Sequence, residues 1–300
     1  MIASGSPDLG LTFAGGGNRA FYQLGLMNRW GERLRPHVGA VAACSAGACV
    51  ALMWLTGRRA EARAVFQART KGITRNLDWR RPLRGEPLAP HGRVYRDTLL
   101  ALLADGGFER VQQQPFPVLV LASGFPGGVP AGLAVAAGIA AYQTEKVLRP
   151  AMVHPGFGRR LGFTPVVVDA RTCETATELA DLVLASSATP PFTPLGRFRG
   201  RRLLDGGMVD NVPAFVAEQA DGVRRNLVLL SRPYPSRVTG ARGSRFYVAP
   251  TAPVPVDRWD YTRPQLLEDT VEMGEREADV HQQELDAWLD RPRAHATGQP

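Results

Sequence analysis

Three short motifs carry the residue types that ester hydrolysis needs. A run of glycines, Gly15-Gly16-Gly17, is followed closely by Arg19. Ser45 lies in the pentapeptide A-C-S-A-G, and much later in the chain comes Asp205-Gly206-Gly207. Acyl transfer requires a nucleophile, a base and donors that stabilise the negative charge developing on oxygen. The motifs could supply a serine nucleophile, a carboxylate base and a set of backbone N–H groups.

Ser45 occupies the centre of a variant of the G-x-S-x-G motif. Small residues two positions before and after the serine let the chain turn sharply from a strand into a helix, which exposes the hydroxyl. Here Ala43 stands at the first position and Gly47 at the last, so the match departs from the pattern by one methyl group. The alternative interpretation is that Ser45 only caps a helix.

Asp205 is the candidate base, because no histidine directly follows a predicted strand. We interpret the histidines as surface residues; they are His37, His91, His154, His281 and His295. Asp205 ends a predicted strand, and the two glycines after it let backbone approach closely and leave the carboxylate facing a cleft. This favours a Ser–Asp dyad over a triad. The alternative is a turn aspartate followed by glycines in the left-handed conformation.

The glycine run separates a predicted strand from a predicted helix. Consecutive N–H groups at the positive end of a helix could hold an oxyanion, and losing one such donor costs about 2.7–4 kcal/mol. The same arrangement could bind the phosphate of a dinucleotide. However, Gly15-x-Gly17-x-x-Ala20 matches the dinucleotide fingerprint weakly. The next strand also leads to Ser45, and not to an acid that would bind ribose.

The elements that must position these motifs alternate between strands and helices. The predicted strands are 9–14, 38–43, 116–122, 164–169, 201–204 and 226–231. The predicted helices are one that starts near residue 18, then 46–55, 59–69, 129–142, 177–186 and 265–289. This alternation predicts an α/β fold with a mostly parallel central sheet flanked by helices. Reactive loops of such folds collect at the carboxyl ends of strands, where all three motifs would lie.

Composition narrows the class of protein. The chain has 300 residues, 44% of them hydrophobic, which is enough for a substantial core. We expect no secretory signal, because the stretch 1–8 is short and polar, and no run reaches the roughly 18 apolar residues of a membrane span. The three cysteines lack disulfide or metal spacing, so we expect small apolar packing residues, no metal and no cofactor; they are Cys44, Cys49 and Cys173. A cytoplasmic location follows as an expectation.

The formal net charge of +8 is unevenly distributed. Residues 57–96 contain eleven Arg or Lys against three acids, whereas residues 257–290 contain three Arg against eleven acids. One interpretation is two solvated surfaces that partly face each other. The other is that 57–96 contacts anionic lipid headgroups as a peripheral membrane surface, at about 1 kcal/mol per cation. No nucleic-acid module accompanies the basic segment, so no nucleic-acid partner is expected.

In this order and spacing, G-G-G-N-R, A-C-S-A-G and D-G-G resemble the motifs of the patatin-like phospholipase family. The stretch Leu184–Pro190 also resembles the segment that precedes the D-G strand in that family. The resemblance covers about residues 9–215. We expect a single domain over 1–300, with a core at about 9–215 and a C-terminal strand and acidic helical region at 216–300.

The resemblance implies hydrolysis of acyl esters in phospholipids, lysophospholipids or neutral lipids, without calcium. Asp205 would take the proton of Ser45, the N–H groups of Gly15–Gly17 would hold the oxyanion, and Asp205 would then activate water. Arg19 would steady the loop or bind a headgroup phosphate, unless it is a plain surface arginine. The loop 76–92 and the helix 129–142 are candidates for a lid or a lipid-facing surface; the alternative is a plain loop and a buried or interfacial helix.

Two positions depart from the family pattern. Ala20 and Ala43 stand where glycine is usual, so we expect strained but intact turns there. They leave open a catalytically weak, regulatory member that keeps the fold and binds lipid or a partner. A soluble acyl-ester or thioester hydrolase, or an acyltransferase, is the remaining enzymatic alternative.

Overall fold

The computed structural model describes residues 7–291, except 82, 84, 86, 87 and 191 and the side chain of residue 146. His295 and both ends of the expected domain therefore lie outside the described residues.

Within the described residues, nine strands form one sheet. They are β1 (Leu9–Phe13), β2 (Val38–Cys44), β3 (Val118–Gly124), β4 (Thr164–Asp169), β5 (Gly196–Phe198), β6 (Arg201–Asp205), β7 (Arg225–Leu229), β8 (Gly240–Arg242) and β9 (Arg245–Val248). The order is β5-β6-β3-β2-β1-β7-β9-β8, with β4 also paired to β3. The strands β3, β2, β1, β7 and β9 run parallel, and the others pair antiparallel. The predicted fold class is confirmed.

Helices cover both faces of this sheet. They are α1 (Phe21–Leu34), α2 (Ala46–Thr56), α3 (Arg59–Thr70), α4 (His91–Leu103), α5 (Gly107–Gln112), α6 (Ala131–Leu148), α7 (Phe157–Arg160), α8 (Ala176–Ser186), α9 (Gly207–Asp210), α10 (Ala214–Glu218) and α11 (Gln265–Leu289). A short 3-10 helix, Gly17–Ala20, precedes α1.

The period-2 alternation of the strands sorts side chains between two apolar layers. In β2, Val41 and Ala43 join the main core, whereas Ala42 packs with Val216 and Ala217 of α10 on the other face. On that second face, the Thr12 hydroxyl donates to the Asn226 side chain at 2.9 Å. The central strands are therefore buried on both sides, as expected of parallel strands.

The edge of the sheet where the motifs meet is built differently from the prediction. Phe13 pairs with Ala43, and Cys44 pairs with Leu121, so the parallel strands β1, β2 and β3 reach a common level. Asp205 pairs with Ala122 of β3, but β6 runs antiparallel to β3. Asp205 thus arrives at the same edge from the opposite direction.

The two charged segments touch, but the acidic one packs mainly elsewhere. Helix α11 lies along α1, and Arg29 pairs with Asp279 at 3.0 Å. Arg63 of the basic segment pairs with Glu268 at 2.8 Å.

The helix α6, expected to be buried or interfacial, lies on the surface and buries only one stripe of its side chains. No helix of the described residues is long and apolar enough to cross a membrane.

Candidate active site

Ser45 forms a strained turn between β2 and α2. Its backbone angles are φ 54° and ψ −131°, a conformation that costs a non-glycine residue about 1–3 kcal/mol. A Cβ at Gly47 would lie 2.5 Å from the Phe13 carbonyl oxygen, so only glycine fits there. The Ser45 side chain makes no capping bond to α2, and the helix-cap interpretation is therefore wrong.

The Ser45 hydroxyl instead donates to Asp205. Its Oγ lies 2.9 Å from Asp205 Oδ2, and the two residues are 5% and 3% exposed. The other carboxylate oxygen accepts the Gly207 N–H at 2.7 Å, and the Thr189 hydroxyl lies 3.3 Å from Oδ2. Burial raises the pKa of Asp205 above its ordinary value, and the charge of Arg258 and these hydrogen bonds oppose the rise. The carboxylate is thus poorly solvated and within reach of the serine proton.

The glycines after Asp205 allow this part of the backbone to pack directly against β3 and Cys44. A Cβ at Gly206 would lie 2.3 Å from the Leu121 carbonyl oxygen and 2.9 Å from Cys44 Sγ. Neither Gly206 nor Gly207 has a positive φ, so the interpretation as a turn with left-handed glycines is wrong.

Ser186 links the turn at Ser45 to β6, the strand that ends at Asp205. It lies in the stretch Leu184–Pro190 that was noted in the sequence before that strand. Its hydroxyl accepts the Ser45 N–H at 2.8 Å and donates to the Leu121 carbonyl at 2.6 Å. Its own carbonyl accepts the Gly206 N–H at 3.1 Å. The hydroxyl and the carbonyl of this one buried residue therefore fix the backbone on both sides of the Ser45–Asp205 contact.

Two residues far along the chain hold the glycine loop. The Gly15 N–H donates to the Asn211 carbonyl at 2.9 Å, and the Gly15 carbonyl accepts from the Ser231 hydroxyl at 2.7 Å and the Asn211 side chain at 3.0 Å. Because a trans peptide points its C=O and N–H in opposite directions, the Gly16 N–H faces away from these partners. The Gly16 and Gly17 amides have no hydrogen-bond partner among the described residues.

Ala20 and Ala43 do not strain the turns. Ala20 has φ −64° and ψ −17°, an ordinary helical conformation, and Ala43 lies within β2. The non-glycine residues with positive φ, among those described, are Ser45, Asp105 and Arg199. The expectation of strain at the two alanines is wrong, and the strain falls on Ser45 itself.

No described histidine is bonded to Ser45 or Asp205. His91 was expected on the surface in a loop, but it is buried in the first turn of α4, and burial together with the charge of Arg258 lowers its pKa to about 4. Its ring contacts Tyr95 and bonds the Tyr261 hydroxyl. His154, half-buried, bonds Asp210.

Arg19 and a second arginine border the glycine loop. Arg19 Nε donates to the Gly16 carbonyl at 3.3 Å. The Arg258 carbonyl accepts the Asn18 N–H at 3.0 Å, and a Cβ at Gly17 would lie 2.7 Å from Arg258 Cγ. Arg258 was missed in the sequence because it lies more than 200 residues from the loop, in a stretch without a motif.

Two clefts open on either side of the glycine loop. The arginine cleft includes Gly16, Arg19, Arg149, Ser231, Arg232 and Arg258. The apolar cleft includes Gly17 and is walled by Phe21, Ala46, Cys49, Phe66, Tyr95 and Tyr261. Phe21 and Phe66 also border a larger groove between α1, α3 and α11. Neighbouring glycines of one loop thus face a charged space and an apolar one.

The cysteines and the acids do not form a metal centre in the part of the chain that the structure describes. No group of three or more His, Cys, Asp or Glu side chains is arranged to hold an ion there. Cys44, Cys49 and Cys173 are buried thiols, and burial raises the pKa of each.

The model of the patatin-like phospholipase family matches residues 11–218. The chain belongs to this family. No curated protein matches the chain. Among solved structures, the crystal structure of VipD from Legionella pneumophila is similar, with 12% sequence identity, a TM-score of 0.45, and coverage of 95% of this chain and 68% of that one.

The family match spans the glycine loop, Ser45 and Asp205, which confirms the resemblance seen in the motifs. Ser231, Arg232 and Arg258 lie beyond its end. One wall of the arginine cleft therefore comes from a part of the chain that the family model does not reach.

Proposed function

We propose that this patatin-like protein is a serine acyl hydrolase that cleaves fatty-acyl esters with Ser45 as nucleophile and Asp205 as base. The observation that carries the proposal is the 2.9 Å bond from a serine at a strained elbow to a carboxylate that is 3% exposed. A buried carboxylate at hydrogen-bond distance can take a proton as the hydroxyl oxygen attacks.

In the first half-reaction, Ser45 Oγ bonds to the ester carbon while its proton passes to Asp205 Oδ2. The carbonyl electron pair moves onto oxygen, and we assign this oxyanion to the Gly16 and Gly17 N–H groups. The Gly15 N–H already donates to Asn211, so its part in the predicted oxyanion site is to position the other two. When the intermediate collapses, the leaving alcohol takes the proton from Asp205.

In the second half-reaction, water replaces the alcohol. Asp205 takes one proton of the water as its oxygen bonds to the acyl carbon, and the same N–H groups hold the second oxyanion. Collapse releases the fatty acid, and the proton on Asp205 returns to Ser45 Oγ. The amide of Ala46, in the first turn of α2, has no intrahelical partner and can add a further donor.

The apolar cleft supports a fatty-acyl substrate over a small polar ester. Ala46, next to the nucleophile, lies in its wall, together with Phe21, Cys49 and Phe66. The acyl carbons nearest the ester would be removed from water there, at about 0.8 kcal/mol per buried methylene. The relaxed backbone at Ala20 and Ala43 gives no structural reason for weak catalysis.

Within the basic segment 57–96, we propose Trp79 as the residue that contacts a membrane surface, because several of the arginines already have carboxylate partners. Arg58, Arg63, Arg69 and Arg96 pair with carboxylates, which reduces their charge toward lipid. The Trp79 side chain, in contrast, is 76% exposed in the same segment. A tryptophan suits the membrane interface, because one edge of its ring is apolar and the other donates a hydrogen bond. Trp79→Ala should weaken sedimentation with phosphatidylglycerol vesicles; equal sedimentation of both proteins would remove this contact.

An esterase assay tests the proposed function. The protein should release p-nitrophenol from medium-chain acyl esters in the presence of EDTA, and a fluorophosphonate probe should label Ser45. Ser45→Ala should lower turnover by about 10⁴-fold or more, as loss of the nucleophile does in serine hydrolases. Ser236→Ala, at an exposed serine, is the control. Undiminished turnover in Ser45→Ala would overturn the assignment.

A substrate panel separates the enzymatic alternatives. Lipid presented in vesicles or micelles should be preferred to dispersed short-chain esters and to soluble thioesters. Preference for the soluble substrates would favour a metabolite esterase or acyltransferase. Absence of both turnover and probe labelling in folded protein would favour the regulatory, lipid-binding alternative.

A further inference from the structure

The arginine cleft gathers cations from four separate segments of the fold. Arg19 follows β1, Arg149 follows α6, Arg232 follows β7, and Arg258 lies in the loop before α11. The other polar groups along its wall are neutral, and no Asp or Glu occurs among its described lining residues. The sequence places these arginines far apart, so their meeting is a property of the tertiary structure.

These guanidinium groups have no carboxylate partner in the part of the chain that the structure describes. Within the described residues, none of the four lies within 4 Å of an Asp or Glu oxygen, whereas arginines of the basic segment form such pairs. Burial and the nearby charges of Arg258 and Arg232 lower the pKa of Arg19. Like charges held together without a counter-ion repel one another, and an anion bound between them would relieve that repulsion.

The hydrogen-bonding capacity of the cluster is largely unused. Arg258 Nε is buried and has no partner in the part of the chain that the structure describes. The Arg232 guanidinium stacks on Tyr234 at 4.1 Å and makes one long bond, 3.4 Å, to the Pro150 carbonyl. An arginine presents five N–H donors in a planar fork that matches the oxygens of a phosphate. The remaining donors suit an oxygen-rich, planar or tetrahedral anion.

The cleft is adjacent to the reacting groups. Gly16 lies in its wall, and a Cβ on the preceding Gly15 would be 3.3 Å from the Ser45 Cβ. An anion in the cleft would therefore sit beside the loop that holds the oxyanion, while an acyl chain occupies the apolar cleft on the other side. In a glycerophospholipid, the phosphate and the acyl ester are joined by a glycerol unit of only a few bonds.

We propose that the arginine cleft binds the phosphate group of an acyl-glycerol phosphate and makes anionic phospholipids or lysophospholipids the preferred substrates. The inference rests on the proposed hydrolase function for its substrate role. Phosphate binding itself can be measured without turnover. A free phosphate compound offers the same chemistry as a lipid headgroup, so the experiment contains an arm for each.

The first measurement is direct binding to the Ser45→Ala protein, which cannot turn over substrate. Isothermal titration should detect glycerol 3-phosphate, with affinity that falls as salt rises. Arg232→Gln and Arg258→Gln should each weaken binding by at least about tenfold, which corresponds to about 1.4 kcal/mol. Arg276→Gln, an exposed arginine of α11, is the matched control and should bind as the parent does. Equal binding by all the variants would overturn the site.

The second measurement separates headgroup from free anion. The ratio of kcat/KM for lysophosphatidic acid to that for the monoacylglycerol of the same chain length should exceed one and fall at least about tenfold in Arg232→Gln. Arg232 is chosen here because Arg258 also acts on Asp205. A ratio that does not change, with glycerol 3-phosphate still bound, would indicate a free-anion site and overturn the substrate role.

Failure of the two proposals can be told apart. Turnover of the neutral lipid without phosphate binding would overturn the arginine cleft and leave the hydrolase intact. Phosphate binding by folded wild-type protein that hydrolyses no ester would overturn the hydrolase and, with it, the assignment of the bound phosphate to a substrate.

Discussion

The tripeptide D-G-G occurs twice in this chain, at 105–107 and at 205–207, and the two copies have little in common beyond their sequence. The Asp105 side chain is 80% exposed and pairs with Arg58 at 2.8 Å. Its φ is 44°, and that of Gly106 is 83°, so this copy is a left-handed turn between helices. Asp205 is 3% exposed at the end of a strand and bonds the Ser45 hydroxyl.

The difference shows that the environment, and not the tripeptide, makes a base. The Asp105 carboxylate is solvated by water and paired with Arg58, and it contacts no serine hydroxyl among the described residues. Burial of Asp205 disfavours the charged form, and the surrounding donors from Gly207 and Thr189 offset part of that effect. Asp105, outside the proposed active site, therefore serves as an internal control for Asp205, inside it.

The largest effect should come from removing the two carboxylates in turn. Asp205→Asn should lower kcat/KM for a medium-chain ester by about 10⁴-fold, because an amide cannot accept the serine proton. Asp105→Asn should leave turnover unchanged and alter the free energy of unfolding by at most about 1 kcal/mol, since its ion pair is exposed. Ester release and thermal unfolding of both variants provide the measurement.

Thermal unfolding also tests whether Asp205→Asn loses turnover simply because the variant unfolds. Because burial raises the pKa of Asp205, the folded state favours the protonated form, and stability from this group is lost as pH rises through the raised pKa. Burial of this carboxyl therefore costs stability as the pH rises above the ordinary pKa of an aspartate, and Asp205→Asn, whose amide carries no charge, should melt no lower than wild type. If it melted much lower, the loss of turnover would reflect unfolding, and the dyad would need independent proof.

The next effect concerns the glycine that follows each aspartate. Gly206→Ala would place a Cβ 2.3 Å from the Leu121 carbonyl oxygen and push the Asp205 strand end aside. A displacement of that kind costs about 10²-fold in rate. Gly106→Ala should cost about 1–2 kcal/mol of stability, because its φ is 83°, but no turnover per folded molecule. Equal turnover in the two folded variants would contradict the close-packing role of Gly206.

The sequence predicted those parts of the fold and candidate site whose signals are local. The helix predicted over 265–289 coincides with α11, and the strand over 164–169 with β4, because their apolar patterns and flanking breakers are strong. Helix α4 was missed because its start lies in a Pro- and Arg-rich stretch. The strands β8 and β9 have three and four residues and no alternating pattern.

The features that the sequence could not predict depend on contacts between residues far apart in the chain. The direction of β6 depends on how the chain returns to β3, and no residue in 201–205 encodes it. Asn211, Ser231 and Arg258 lie near Gly15–Gly17 only after folding, each about 200 residues away along the chain. The catalytic roles of Ser45 and Asp205 stay predictions, now with a geometry that can be tested.

A smaller effect should appear in the pH dependence of turnover. The base must be ionised, so kcat/KM should rise with pH through the pKa of Asp205, above the range of an ordinary aspartate. Arg258 lowers that pKa. Arg258→Gln should therefore move the acid limb of the pH–rate profile, the range in which kcat/KM rises with pH, to higher pH. The described groups that act on Asp205 besides Arg258 are Ser45, Thr189, Gly207, Cys44 and, at longer range, Tyr95.

A matched variant keeps this pH test specific. Arg276→Gln removes an equal charge from the exposed face of α11 and should leave the acid limb in place. An acid limb that stays fixed in Arg258→Gln would mean that Asp205 is not the titrating base, whereas a limb that moves in both variants would reflect the net charge of the whole protein.

The smallest effect should follow from Thr189→Ala. The Thr189 hydroxyl lies 3.3 Å from Asp205 Oδ2, a long bond to the oxygen that also accepts from Ser45. At 3.3 Å this bond to the carboxylate is long and weak, worth about 0.5–1.5 kcal/mol, so kcat/KM should fall by a factor of about 2 to 10. Because the bond lowers the pKa of Asp205, the rise of kcat/KM with pH should move slightly to higher pH in the variant. Among the described residues, no hydroxyl donates to Asp105, and Thr177→Ala, at an exposed threonine of α8, is the control. A loss as large as that of Asp205→Asn would show that Asp205 depends on one directed contact, and that burial alone does not distinguish it from Asp105.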